Sequence, residues 1–131
     1  MQRTLAIIKP DAVARRQVGA IVQRIETNGL AIREMQLRYL SKADAEGFYA
    51  VHRSKPFFES LTTFMSSGPV VVLALEGPDA IKRWRQLMGA TDPERAEMGT
   101  LRQEFGSSIE RNATHGSDAI DTAEYELDFF F

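Results

Sequence analysis

The sequence predicts an α+β fold of the ferredoxin-like type, a βαββαβ sandwich with an antiparallel sheet and extra helices. Short apolar runs typical of buried strands alternate with stretches whose apolar residues recur at helical spacing. Their order is strand, helix, strand, helices, strand, helix, short strand and helix, which contains two βαβ units. No linker or internal repeat interrupts the chain, so we expect residues 1–131 to form one domain.

The first βαβ unit is predicted from the first third of the chain. The apolar run at residues 4–8 stops at Lys9 and predicts a buried strand. A helix follows, and Gly29 ends it. One face of that helix carries Val18, Ile21, Val22 and Ile25. Residues 30–40 alternate between apolar and polar with a phase change near Glu34, which predicts a strand with a bulge.

The middle of the chain predicts three helices and one strand. Ser41 caps a helix, with Asp44 at the capping-box position. Pro56 suits the first turn of the next helix. Residues 70–75 are apolar throughout, so we expect a strand that is covered on both faces. Residues 79–88 form the third helix.

The last third of the chain is less regular. Residues 89–109 lack a clear pattern, and long irregular segments of compact domains are commonly functional. Within them, Thr100 and Gln103 predict a capping box that opens a short helix. Residues 113–115 predict a short strand, and Ser117 or Asp118 caps a last helix. We expect its inward face to hold Ile120, Ala123, Leu127 and Phe130 or Phe131.

Composition narrows the class of protein. The net charge of −2 argues against a general nucleic-acid-binding surface. The chain has no cysteine, which excludes disulfides, thiolate zinc sites and cysteine nucleophiles. Its apolar runs are shorter than the roughly 20 residues of a membrane span, and its start does not resemble a signal peptide. We therefore expect a cytoplasmic protein without a membrane partner.

The heptapeptide NATHGSD, residues 112–118, holds one of only two histidines. An imidazole titrates near neutral pH and can act as acid, base or nucleophile. Gly116 removes side-chain bulk beside His115, so that a ligand could approach the backbone. The helix start at Ser117 and Asp118 favours an anion. These residues suit phosphate chemistry, but they also fit a polar turn with a solvated histidine.

Three basic residues are further candidates, each with a plainer alternative. Arg85 lies at the edge of an apolar helix stripe, where it either follows the surface or points into a cleft. Lys9 ends the first strand, at a rim where ligand sites tend to lie, or is an ordinary end-of-strand charge. Arg102 by itself is typical of a surface. A nucleotide site would need neither a P-loop nor a Rossmann turn, because both motifs are absent.

Several ordered segments carry a family resemblance: TLAIIKPDAV, KPFF, SGPVVV, LMGATDPERAEMGTLR and NATHGSD. Together they resemble nucleoside diphosphate kinases over nearly the whole chain, and NATHGSD matches the active-site signature of that family. The resemblance implies transfer of the γ-phosphate of a nucleoside triphosphate, mainly ATP, to a nucleoside diphosphate. The expected route is a ping-pong mechanism through a phosphohistidine at His115, with broad tolerance of base and sugar.

The resemblance also implies catalytic partners for His115. Tyr49 would lie near the histidine and the γ-phosphate, and Ser117 would form a hydrogen bond close to either. Glu126 would orient the imidazole and fix its tautomer. It lies about two turns beyond the predicted helix start, so this helix must fold back over the sheet. We expect His52, the other histidine, to be a helix-end or surface residue without a catalytic role.

The nucleotide would be held by residues from several segments. The resemblance assigns the phosphates to Lys9, Arg85, Thr91 and Arg102. It assigns the ribose hydroxyls to Asn112 and Lys9. Phe57 would stack on the base, with Leu61 and Ile109 nearby, although its place on an apolar helix ridge also fits a core aromatic. Stacking discriminates little among bases, because every base has a π-face.

Cofactor and assembly follow from the same resemblance. We expect Mg²⁺ to bridge the phosphates and to be held mainly by nucleotide and water, since no acidic or histidine cluster has metal-site spacing. A homo-oligomer is expected, with a tetramer favoured over a hexamer or a dimer. The terminal DFFF rings should be buried in the fold or an interface. Two other functions stay open: a non-catalytic nucleotide-binding regulatory module, and a carrier that passes phosphate from histidine to a protein.

Overall fold

The computed structural model describes all residues from Met1 to Phe131. Four strands form one antiparallel sheet in the order β2-β3-β1-β4. They are β1 Gln2–Ile8, β2 Ala31–Arg38, β3 Val70–Gly77 and β4 Thr114–Gly116. β3 lies between β1 and β2, the split βαβ arrangement of a ferredoxin-like fold, so the predicted fold class is confirmed.

Seven α-helices connect and follow the strands. They are α1 Pro10–Ala14, α2 Val18–Thr27, α3 Lys42–Phe48, α4 Phe58–Met65, α5 Ala80–Met88, α6 Leu101–Phe105 and α7 Ile120–Phe130. A 3₁₀ turn at Ala50–His52 links α3 to α4. None of these helices has the length and apolar character needed to cross a bilayer.

The sheet separates two apolar cores, because successive side chains of a strand point to opposite faces. In the α5-side core, Ile8 and Leu73 pack with Trp84 of α5 and with residues of α2. In the α7-side core, Ile7 and Val72 pack with residues of α3, α4 and α7. The central strands are therefore buried on both faces, as the continuous apolar run of β3 predicted.

Several predicted boundaries are confirmed at the residue level. The pairing of β2 with β3 shifts register between Ile32 and Glu34, where the bulge was expected. Ser41 and Asp44 form the predicted capping box at the start of α3. Gly29, after the end of α2, has a φ of 80°, a conformation that glycine adopts without the Cβ clash of other residues.

Thr100 precedes α6 as predicted, but the capping box predicted there does not form. The Thr100 hydroxyl donates to the carbonyl oxygen of Glu97 at 2.7 Å and does not cap α6. The side chain of Gln103 accepts from the N–H of Gly99 at 3.4 Å, so the expected capping box does not form. The hydroxyl is turned toward the segment before α6, and it accepts no hydrogen bond from the first N–H groups of the helix.

The start of α7 also differs from the prediction. Ala119, rather than Ser117 or Asp118, is the residue that precedes the helix. The hydroxyl of Thr122 accepts from the N–H of Ala119 at 2.9 Å and from that of Asp118 at 3.1 Å. Ile120 was expected to face inward, yet it is 64% exposed. The rest of the predicted inward face is confirmed, because Ala123 and Phe130 are buried and Leu127 packs against the core on that side.

Candidate active site

A cavity of about 330 Å³ opens beside β4. It is lined by Lys9, Tyr49, His52, Phe57, Leu61, Arg85, Thr91, Arg102, Ile109, Glu110, Asn112, His115, Gly116 and Asp118. All the residues that the sequence predicted for the site line this cavity except Ser117 and Glu126. Those two contact His115 or its neighbours through hydrogen bonds, so the predicted set is brought together in one place.

His115 lies on β4 directly opposite Ile7 of β1, and its ring therefore points to the α7 side of the sheet. There its Nε2 lies 3.0 Å from Oε1 of Glu126, on α7. The hydroxyl of Ser117 donates to the same oxygen at 2.8 Å. A carboxylate can only accept, so Nε2 carries the proton in this contact and Nδ1 is left with a free lone pair.

Two aromatic rings fix the position of the imidazole from the side. The rings of Phe48 and Tyr49 meet that of His115 edge-on, at centroid distances of 5.2 Å and 5.8 Å. Tyr49 is buried, and its hydroxyl has no hydrogen-bond partner. Burial, and then the charge of Glu126, raises the pKa of Tyr49 well above its ordinary value. The tyrosine hydroxyl thus stays protonated and is available as a donor beside the histidine.

Lys9 is linked by hydrogen bonds to two other residues that line the cavity. Its Nζ donates to Oδ1 of Asn112 at 2.8 Å, and Nδ2 of Asn112 donates to the carbonyl oxygen of Thr91 at 3.0 Å. Desolvation by burial, and then the charge of Arg102, lowers the pKa of Lys9 from 10.5 to about 8. Lys9 is therefore not the simple end-of-strand charge that its position in the sequence also allowed.

Arg102 is a second buried cation of the site. Its two Nη atoms donate to the carbonyl oxygens of Gly89 at 3.0 Å and Thr114 at 2.9 Å, while its buried Nε has no partner. Burial, and then the charge of Arg85, lowers the pKa of Arg102 to about 10. Buried cations bonded only to neutral groups favour an anionic ligand, which would offset their desolvation.

Arg85 stands at the rim of the cavity. Its Nη1 lies 2.6 Å from Oδ1 of Asp118, and both side chains are substantially exposed. Of the two alternatives that the helix position left open, the structure selects the one in which the arginine lines a cleft. Because the pair is exposed, its net contribution to stability is small, and the guanidinium can exchange the carboxylate for another anion.

The outer part of the cavity is apolar. Phe57 is 47% exposed, so it is not a core aromatic, and Ile109 and Leu61 line the same opening. The ring of His52 lies 5.5 Å from that of Phe57 and 6.4 Å from that of Tyr49. His52 ends the 3₁₀ turn, as expected of a helix-end residue, but it also lines the cavity, which was not predicted. Its spacing of three residues from Tyr49 was the available signal.

Gly116 also has a packing role, which the sequence did not predict. It lies opposite Ala6 of β1 and faces the α5 side of the sheet, away from the ring of His115. A Cβ at this position would lie 2.6 Å from side-chain atoms of Trp84 and Met88. The indole Nε1 of Trp84 donates to the carbonyl oxygen of His115 at 3.1 Å. The absence of a side chain thus lets α5 pack against the back of β4, and Gly116 itself also lines the cavity.

Comparison with known proteins gives a consistent picture. A family model described as nucleoside diphosphate kinase matches residues 2–131. A nucleoside diphosphate kinase from Desulfosudis oleivorans is 60% identical over 131 residues, which cover 100% of this chain and 94% of that protein. One from Helicobacter pylori is 55% identical over 130 residues, covering 99% and 95%.

Solved structures agree with the sequence matches. The nucleoside diphosphate kinase of Aquifex aeolicus superimposes with a TM-score of 0.97 at 43% identity, covering 99% of this chain and 94% of that one. A halophilic nucleoside diphosphate kinase from Halobacterium salinarum, in complex with CDP, gives a TM-score of 0.95 at 42% identity, covering 99% and 87%.

Proposed function

The chain belongs to the nucleoside diphosphate kinase family, and from that premise we propose how its own residues carry out the transfer. The enzyme is a phosphotransferase that moves the γ-phosphate of a nucleoside triphosphate to a nucleoside diphosphate. We propose that residues 1–131 act as one catalytic domain. The observation that carries the proposal is the ring of His115, bonded to Glu126 through Nε2, in a cavity with buried cations.

The reaction runs in two halves through His115. In the first, the Nδ1 lone pair attacks the γ-phosphorus of the triphosphate, mainly ATP. A P–N bond forms, the bond from that phosphorus to the β,γ-bridging oxygen breaks, and the diphosphate leaves with this oxygen. In the second, a terminal oxygen of another diphosphate attacks the phosphorus, and the P–N bond breaks. The free ring returns, and the route is ping-pong.

Glu126 and Ser117 prepare the imidazole for both halves. As the P–N bond forms, positive charge grows on the ring, and the carboxylate 3.0 Å from Nε2 stabilises it. Ser117 donates to the same carboxylate oxygen and accepts from the N–H of Leu5 at 3.3 Å, which anchors the carboxylate to β1. Glu126 is thereby a positioning residue, and His115 is the nucleophile.

The cations hold the phosphates. A phosphoryl group in transfer passes through a loose transition state with negative charge on its oxygens, so catalysis rests on positioning and positive charge. We propose that Lys9, Arg85 and Arg102 bind these oxygens, with Thr91 and the protonated Tyr49 hydroxyl as further donors. The buried Nε of Arg102, which lacks a partner, supports this role.

The nucleoside lies toward the apolar opening. We propose that Phe57 stacks on one face of the base, with Leu61 and Ile109 nearby. Asn112 and Lys9 reach the ribose hydroxyls, which their mutual hydrogen bond of 2.8 Å supports, because it holds both at one point of the cavity. Stacking requires only a π-face, so broad tolerance of base and sugar follows. His52 lines the same cavity, next to Phe57.

We propose that Mg²⁺ accompanies the nucleotide. No group of three or more His, Cys, Asp or Glu side chains is placed to hold a metal ion, so the chain itself offers no metal cage. This fits an ion that is held mainly by phosphate oxygens and water. When bound there, Mg²⁺ neutralises charge on the phosphates. The chain's own contribution is to hold those phosphates through Lys9, Arg85 and Arg102.

We further propose a homo-oligomer, with a tetramer favoured over a hexamer or a dimer. β2 pairs only with β3, so its other edge is free, and near that edge Met35, Leu37 and Tyr39 are exposed apolar side chains. An open strand edge with exposed apolar residues favours association. We place the reaction in the cytoplasm, where nucleoside di- and triphosphates are found. No contact with nucleic acid or membrane is proposed.

A label-transfer experiment tests this function. Wild type and His115→Ala are incubated with γ-labelled ATP and magnesium, and GDP is then added. We expect an acid-labile, alkali-stable label on the wild type only, which passes to GDP. Tight nucleotide binding without any label would instead indicate the regulatory module. A label on the wild type that GDP cannot remove would indicate the phosphate carrier, and a label on the variant would remove His115 as the nucleophile.

A further inference from the structure

A strained turn lies between two residues of the site. Ala113 has a φ of 72°, in the left-handed region that residues with a Cβ rarely adopt. The N–H of Thr114 donates to the carbonyl oxygen of Asn112 at 2.9 Å, which closes a three-residue γ-turn around Ala113. Such a turn with positive φ is rare and strained, and it persists only where its surroundings enforce it.

The turn decides where two functional side chains lie. Asn112, before it, bonds to Lys9 and to the carbonyl of Thr91. Thr114, after it, begins β4, and His115 comes next. If Ala113 relaxed to negative φ, the chain direction would change between Asn112 and β4. The asparagine would then leave its partners, or the histidine would leave its place opposite Ile7.

Asp11 holds this turn from the other end of the chain. Its Oδ2 accepts from the N–H of Ala113 at 3.2 Å, in a buried contact that joins α1 to the turn across 102 positions. The N–H of Lys9 donates to the carbonyl oxygen of Ala113 at 2.8 Å. Both polar groups of the Ala113 backbone are thus bound by the segment of residues 9–11, and Pro10 stiffens that segment.

The carboxylate of Asp11 is buried, although packing alone would favour an apolar side chain at this position. It is only 7% exposed, and its Oδ1 is buried without a hydrogen-bond partner. Burying a carboxylate with one oxygen unpaired is unfavourable unless a favourable interaction of the charged group offsets the cost. An ionised acceptor holds a backbone N–H more strongly than a neutral one, which suits a turn that must be kept strained.

We propose that Asp11 is a positioning residue that holds the strained turn at Ala113 and thereby sets Asn112 in the nucleotide cavity and His115 on β4. The consequence for ribose recognition rests on the proposed function, in which Asn112 contacts the ribose hydroxyls. That Asp11 holds the turn at Ala113 does not depend on the proposed function. Asp11 itself needs no contact with the nucleotide.

The test compares Asp11→Ala, which removes the acceptor, with Asp11→Asn, which keeps an amide oxygen in its place. The first measurement is hydrogen exchange at the Ala113 amide in the intact protein. The second is the ratio of kcat/KM for a nucleoside diphosphate to that for its 2′,3′-dideoxy analogue. A defect in general stability would lower the amount of folded enzyme, but it would not change this ratio.

We expect faster exchange at Ala113 in Asp11→Ala and a ratio that falls about tenfold, the effect of losing a hydrogen bond from Asn112 to the ribose hydroxyls. Asp11→Asn, whose neutral amide oxygen is a weaker acceptor than a carboxylate, should give an intermediate effect in both measurements. Ala113→Gly, which adopts positive φ without strain, should reduce the effect of Asp11→Ala in the double variant. If Asp11→Ala alone does not fold, the double variant and Asp11→Asn are compared with Ala113→Gly and wild type.

Three results would overturn the proposal. They are an unchanged ratio in folded Asp11→Ala, unchanged exchange at Ala113, and strictly additive effects of the two substitutions. Failure of the proposed function is distinguishable, because it would show in the wild type as a missing phosphohistidine. In that case the exchange at Ala113 and its dependence on Asp11 would still decide whether the carboxylate holds the turn.

Discussion

The Nε2 atom of His115 lies 3.0 Å from Oε1 of Glu126, a contact between the short strand β4 and the middle of α7. The helix reaches this position because Ala123 and Phe130 bury one of its faces against the sheet. Packing of an apolar helix face thus sets the tautomer of the imidazole and leaves Nδ1 free. The link from helix packing to chemistry makes Glu126 the natural first target for mutation.

Replacing Glu126 should slow phosphorylation of His115 without weakening nucleotide binding. We expect Glu126→Ala to lower the single-turnover rate on the order of 10²-fold, since the ring loses its fixed orientation. Glu126→Gln should lose less, because its amide oxygen can still accept from Nε2–H. Glu124→Ala, which removes an exposed carboxylate from the same helix, is the matched control. The account is contradicted if the Kd for nucleotide rises as much as the rate falls.

Gly116 should tolerate no side chain, for a reason of packing. Gly116→Ala would bring a Cβ to 2.6 Å from Trp84 and Met88, and overpacking of this kind typically lowers the free energy of unfolding by about 1–3 kcal/mol. Gly19→Ala, in α2 with open space around it, is the control and should stabilise by roughly 0.5–1 kcal/mol. Denaturant titration measures both. Equal stability of the two variants would refute this reading of Gly116.

The pKa of about 8 for Lys9 predicts opposite pH dependences for activity and stability. As pH rises through 8, the lysine loses the positive charge that binds phosphate. We therefore expect kcat/KM to fall above pH 8. The pKa in the folded state lies below the unfolded value of 10.5, so the unfolded chain binds more protons between these pH values. The contribution of Lys9 to unfolding free energy therefore rises with pH across this window.

A pH profile of kcat/KM from 7 to 9.5, compared with that of Lys9→Arg, checks this assignment. Arginine stays charged throughout, so the alkaline limb near pH 8 should disappear in the variant, whatever its absolute activity. Persistence of the same limb in Lys9→Arg would assign it to another group.

Phe57 should contribute equally to all substrates. Loss of base stacking in Phe57→Ala is expected to raise KM for each nucleoside diphosphate by about tenfold, within the range for a stacked base. Phe57→Trp, which keeps a π-face, is the control and should retain most of the affinity. Steady-state kinetics with purine and pyrimidine diphosphates give the comparison. A penalty confined to one base would mean that Phe57 selects the substrate and does not merely stack on it.

The sequence predicted the parts of the fold that depend on local pattern. β1, α2, β3 and the bulge near Glu34 follow from apolar spacing and were found where expected. The caps at Thr100 and Ser117 failed because each hydroxyl has a stronger local or buried partner, which propensity rules do not see. Ile120 was also misplaced: it begins α7 and is exposed, although the rest of the predicted inward face is buried or packed on the core.

The candidate site was predicted mainly through family resemblance, because its residues come from distant segments. Spacing alone does not reveal that Glu126 meets His115, since the contact depends on how α7 packs on the sheet. The close packing of α5 behind Gly116 was not predicted, because it depends on which helix covers that face of β4. His52 was missed because a 3₁₀ turn after α3 carries it over the ring of Tyr49.

The most direct test of the account is to find which atom carries the phosphoryl group. Protein with ¹⁵N-labelled histidine is treated with a nucleoside triphosphate and magnesium, and the phosphorylated protein is analysed by ³¹P and ¹⁵N NMR. The contact of Nε2 with Glu126 predicts phosphate on Nδ1 of His115 and on no other nitrogen. Phosphate on Nε2, or on His52, would contradict the account, because the geometry around Glu126 would then not direct the reaction.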